Sequence, residues 1–225
     1  MKTIIDNLFL KVILSAALTI SAVTAQAQPF AKEIASFKKQ DSLMAPPSNA
    51  ILMVGSSSFT LWKDVQDYFP HYIIINRGFG GSSLQDIIRY EPDIIFPYHP
   101  KQIIIYCGEN DLTASDTVTS QLVFERFQQL FADIRNKFPK VALAYVSMKP
   151  SPARILLMPK MSEANRLVKA FLKKKKKTTF IDVYNKMLKE DGTPMTDIFL
   201  EDNLHLNKKG YALWQKIIEP FLLKY

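Results

Sequence analysis

Four short stretches of this chain carry groups whose chemistry is complementary: 55–58 (GSSS), 76–83 (NRGFGGSS), 108–111 (GEND) and 202–205 (DNLH). In the last, a carboxylate three residues before a histidine can accept the Nδ1–H, fix the tautomer and leave Nε2 free to take a proton from a hydroxyl. The same stretch also suits a helix start, because Asn207 ahead of an apolar periodic segment is a good N-cap. The serine run supplies candidate hydroxyls, the glycine turns can leave backbone N–H groups free to donate, and Asn110 supplies a side-chain amide. Base, orienting carboxylate, nucleophile and oxyanion donors are together the parts of a serine acyl hydrolase. Other chemistry has less support. The stretch 78–83 has Ser83 where a dinucleotide fingerprint needs its third glycine, and the chain has neither a G-x-S-x-G elbow nor a phosphate-loop lysine motif. His71, His99 and His205 are far apart in sequence and the chain has one cysteine, so no metal site and no cofactor is expected.

These stretches need elements to hold them. Continuous apolar, largely β-branched runs at 51–54, 72–75, 102–106, 141–146 and 179–183 predict five strands buried on both faces, as a parallel sheet requires. Helix-length patterns separate them, the clearest at 120–138, 162–176 and 208–223, and a short amphipathic stretch at 30–39 precedes a proline-containing linker. Repeated strand–helix alternation predicts an α/β protein, a doubly wound three-layer α/β/α sandwich with a five-stranded parallel sheet. In such sheets ligands bind beyond the carboxyl ends of the strands, where the first three stretches fall. Glycine usage agrees: the 225 residues hold seven glycines, and five of them sit at 55, 78, 80, 81 and 108. The ends of strands four and five have none.

Residues 1–27 combine early lysines, an apolar run at 12–23 and an Ala25-Gln26-Ala27 triplet, the pattern of a secretory signal with its cleavage site. The run is too short to span a bilayer, so a secreted or periplasmic protein without stable membrane insertion is expected. Cys107, alone and inside an apolar run, is expected to be a buried inert thiol. The formal charge of +8 traces largely to five lysines at 173–177. Without interleaved aromatics, that run reads as a solvated helix end and implies no nucleic-acid partner. Trp62 is expected in the core, and 155–159 is expected to pack on the core at a helix entry, with an acyl pocket or lid as the other reading.

The four stretches, in this order and at these strand ends, resemble the SGNH or GDSL-type esterases and lipases from about residue 41 to the C-terminus. The resemblance implies the flavodoxin-like SGNH hydrolase sandwich over 50–225, after an N-terminal helix and linker at 28–49. It makes Ser57 the nucleophile, Asp202 and His205 the rest of a triad, and Ser57, Gly81 and Asn110 the oxyanion donors. Arg77, Glu109 and Arg154, beside these blocks, are candidate substrate contacts. Ser56 stands where the family has aspartate. Exported members similar to platelet-activating-factor acetylhydrolases carry Gly-Ser-Ser-Ser followed by a tryptophan, as in 55–62 here, which keeps Ser57 in place but moves the reading away from true lipases. The expected activity is hydrolysis of short-chain acyl esters, acetyl above all, of carbohydrates or other small soluble esters. The alternative is a catalytically silent glycan- or envelope-binding module on the same fold.

Overall fold

A computed structural model describes residues 28–224. The expected signal sequence at 1–27 lies outside the described residues. After helix α1 (Ala31–Leu43), the chain runs β1 (Ile51–Gly55), α2 (Ser57–Thr60), α3 (Val65–Tyr68), β2 (Ile74–Gly78), α4 (Leu84–Ile94), β3 (Gln102–Tyr106), α5 (Glu109–Thr113), α6 (Ser120–Lys137), β4 (Ala142–Val146), α7 (Met158–Leu172), β5 (Thr178–Ile181) and α8 (Lys208–Ile218). Short 3-10 segments lie at Pro152–Leu157, where Arg154 breaks the helical path, and at Asn185–Met187 and Glu219–Phe221.

All five strands pair in parallel in the order β2-β1-β3-β4-β5. The order reverses between β1 and β3, so a crevice opens at their carboxyl ends. β1 and β3 have every residue buried, which is why they read as unbroken apolar runs. One core cluster joins β1, β3 and β4 to α2 and α8 through Phe59, Trp62, Tyr106, Tyr211 and Trp214. Trp62 is fully buried, as expected, with its ring stacked 4.8 Å from that of Tyr211.

Helix limits follow local chemistry. α7 begins earlier than the periodicity suggested, with Pro159 in its first turn where no N–H is needed, and ends before the lysine run. Lys173–Lys177 are exposed beyond that end, and Lys175 lies over the Phe171 ring at 4.7 Å. α8 stops at Ile218, and Pro220 directs the chain into a 3-10 turn. The expectation that 155–159 packs on the core is corrected. Ile155 is 51% and Leu156 90% exposed, and no residue of the 3-10 segment at Pro152–Leu157 is buried.

Candidate active site

The carboxyl end of β1 is held by backbone crowding. A Cβ on Gly55 would stand 2.1 Å from the Tyr106 carbonyl oxygen, so only glycine lets β1 approach β3 this closely before the chain turns into α2. Ser56 N–H donates to that same carbonyl at 3.1 Å, and α2 starts at Ser57. Asn76 Nδ2 donates to Phe59 O at 2.7 Å and Tyr211 Oη to Ser58 O at 2.9 Å, tying α2 to β2 and α8. The three serines are thereby sorted. Ser56 and Ser58 are buried, at 4% and 0% exposure, whereas Ser57 opens on a cleft of about 410 Å³.

The same cleft is lined by Thr60, Leu61, Gly80, Gly81, Asn110, Arg154, Leu204 and His205. Gly81 has φ +86, a conformation that side chains disfavour, and it presents the loop after β2 to the cleft. The N–H groups of Ser57 and Gly81 donate to no acceptor among the described residues. Asn110 is held at both ends of its amide: Nδ2 donates to Ser82 O at 3.0 Å, and Oδ1 accepts from Arg154 at 2.8 Å. One Nδ2 hydrogen is left over. Next in sequence, the fully buried Asp111 accepts from Leu84 N–H at 2.9 Å and from Arg126 at 2.7 Å, fastening the start of α4 to α5 and α6. Burial pushes its carboxyl upward, against the pull of those donors.

Asp202 and His205 form a self-contained turn. Asp202 Oδ1 accepts the N–H groups of Leu204 and His205, both at 2.9 Å, while Oδ2 lies 2.6 Å from His205 Nδ1. Asn203 takes φ +56 to close the turn. Desolvation acts to raise the Asp202 carboxyl, but the His205 N–H and ring, with the Leu204 N–H, outweigh it and bring it down to about 2. The carboxylate is therefore ionised at neutral pH and fixes the ring with Nε2 available.

Ser57, Gly81, Asn110 and His205 thus come together at one cleft, with Asp202 behind the histidine. Two expected substrate contacts do not join them. Arg77 is 8% exposed and turns toward α1, where it pairs with Asp41, bonds Tyr98 Oη at 2.5 Å and lies over the Phe37 ring at 5.1 Å. Glu109 is 4% exposed, and its oxygens are taken by Tyr106 Oη, Lys149 Nζ and Arg154. Arg154 does line the cleft, yet its NH1 and NH2 groups bond Glu109 and Asn110. Lys149, not singled out in the sequence, is buried beneath this group. Its only signal was a lysine three residues after an apolar strand. Cys107 is buried, and burial raises its thiol well above the usual range. Among the described residues no group of His, Cys, Asp and Glu could hold a metal ion.

Residues 41–213 match the model of the GDSL-like lipase/acylhydrolase family. No curated protein matches the sequence. Among solved structures, one named for platelet activating factor from Streptococcus pneumonia superposes with a TM-score of 0.74 at 18% identity, covering 85% of this chain and 92% of that one. A GDSL-like lipase from Bacteroides thetaiotaomicron gives 0.67 at 20%, covering 84% and 96%. An acetyl-xylooligosaccharide esterase from Geobacillus Stearmophilus gives 0.62 at 14%, covering 81% and 98%. At these identities the superpositions speak for the fold. The family match over most of the chain decides the reaction class: this protein belongs to the GDSL-like lipase/acylhydrolase family and is a carboxylic ester hydrolase.

Proposed function

We propose that Ser57 Oγ attacks an ester carbonyl while His205 Nε2 takes its proton, and that the imidazolium then protonates the leaving alcohol. Asp202 keeps the ring in the tautomer that exposes Nε2 and stabilises it when charged. Water, deprotonated by the same histidine, resolves the acyl-enzyme. The tetrahedral oxyanion is received by the N–H groups of Ser57 and Gly81 and by the remaining Nδ2 hydrogen of Asn110. One observation carries this reading. Of three successive serines only Ser57 reaches the cleft, and the cleft also holds a histidine bound to an ionised carboxylate and two backbone N–H groups without acceptors among the described residues.

The substrate we propose is a short-chain acyl ester, acetyl first, of a carbohydrate or another small soluble ester. Two apolar side chains line the cleft, Leu61 and Leu204, which suits a small acyl group. The fold likeness to an acetyl-xylooligosaccharide esterase agrees with it. We place the enzyme outside the cytoplasm on the pattern of 1–27. No helix among the described residues is long and apolar enough to cross a membrane. A p-nitrophenyl ester series tests the substrate class: kcat/KM should peak at acetyl or butanoyl, and a decanoyl ester turned over better than acetyl refutes it.

A further inference from the structure

The cleft holds one arginine whose guanidinium is engaged by the protein itself. Arg154 sits in the 3-10 turn at Pro152–Leu157 with φ −121 and ψ 29, outside helical values, and it bridges two acceptors: Glu109 Oε2 at 3.1 Å and Asn110 Oδ1 at 2.8 Å. Glu109 is anchored from below by Lys149, whose ammonium meets both carboxylate oxygens at 3.1 and 3.2 Å, and by Tyr106 Oη. The backbone that leads into Lys149 is held two residues past the end of β4, where the Asn165 side chain grips the N–H and C=O of Met148, each at 2.9 Å. Burial lowers the Lys149 ammonium, opposed by the Glu109 charge beside it. A chain of bonded groups therefore runs from the sheet to the Asn110 amide.

We propose that Arg154 is the positioning residue of the oxyanion site: its guanidinium, seated on the Lys149–Glu109 pair, fixes the Asn110 amide so that Nδ2 faces the reacting carbonyl. This rests on the reading of Asn110 as an oxyanion donor. A carboxamide has two ends of different polarity, and a donor against its oxygen forces the nitrogen to the other side. Only a planar fork with several N–H groups can hold that oxygen and a neighbouring carboxylate together; an ammonium is a point charge on a flexible stem. The adjacent residue strengthens the assignment. Ala153 N–H donates to Asn203 O at 3.1 Å, so this single turn ties the oxyanion amide to the loop that carries Asp202 and His205.

The test is a double-mutant cycle on p-nitrophenyl acetate with Arg154→Gln, Asn110→Ala and the pair, each checked for folding by thermal unfolding. Arg154→Gln should lower kcat about 10- to 100-fold with KM changed less than about threefold, the cost of a misplaced catalytic group. On the Asn110→Ala background the same change should cost less than about twofold. Arg154→Lys keeps the charge without the fork, and it should recover less than about a third of the wild-type kcat. Additive losses, a loss confined to KM, or full recovery with lysine overturn the proposal while leaving the reading of Asn110 intact. Wild-type kcat in Asn110→Ala overturns both.

Discussion

Replacing Asp202 by asparagine separates what this side chain does for the turn from what it does for the histidine. The amide oxygen of the new side chain can take over from Oδ1 and accept the N–H groups of Leu204 and His205, at 2.9 Å in the native turn, so the backbone should persist. The amide nitrogen then faces His205 Nδ1 across the 2.6 Å contact, and being a donor it makes Nδ1 the acceptor. The ring proton moves to Nε2, and the base is lost. Such a tautomer error costs about 10⁴ in kcat, or roughly 5.4 kcal/mol of transition-state stabilisation. Stability should move little, because Asp202 is nearly half exposed and water screens its charge. The sign of that small change is fixed nonetheless. With the folded carboxyl down at about 2, the charge contributes stability above about pH 4 that is lost as pH falls through 2, so the two proteins should differ most near neutrality and converge at acid pH. The assay is steady-state hydrolysis of p-nitrophenyl acetate beside thermal unfolding from about pH 7 to about pH 2. A folded Asp202→Asn variant with kcat within about tenfold of wild type refutes the orienting role.

Two further outcomes follow from the geometry. Gly55→Ala puts a methyl 2.1 Å from one backbone oxygen and 3.0 Å from its carbon, neither of which can swing aside, so β1 and β3 must part; urea unfolding should show a loss of about 3 kcal/mol or more, and an unchanged midpoint contradicts the close approach. Asp202 should add no inflection to the pH profile of kcat/KM above about pH 4, because its carboxylate stays ionised there; an Asp202 carboxyl that titrates above about pH 4 by carbon-13 NMR contradicts it.

What the sequence disclosed and what it hid divide along physical lines. The strands were legible because a sheet covered on both faces leaves no polar alternation to confuse the pattern, and β1 and β3 are buried at every position. The four site stretches were legible because each is local: Asp202 reaches His205 across three residues, and Ser57 follows its strand closely. The residues that turn away from the cleft are those whose partners lie far along the chain. Arg77, expected as a substrate contact, gives its guanidinium to Asp41, 36 residues away, and to Tyr98, 21 away. Glu109 is sequestered by Lys149, 40 residues on, and Arg154, 45 on. Charge pairing over such separations leaves no periodic signal. The exposed Ile155 and Leu156 fail the opposite way, since apolar type alone does not specify burial.

A fluorophosphonate probe followed by peptide mass mapping decides whether Ser57 is the nucleophile. A single adduct is expected on Ser57, absent from Ser57→Ala, with esterase activity lost in parallel. An adduct on Ser56, Ser58, Ser82 or Ser83, or a Ser57→Ala protein that still hydrolyses p-nitrophenyl acetate at the wild-type rate, contradicts it.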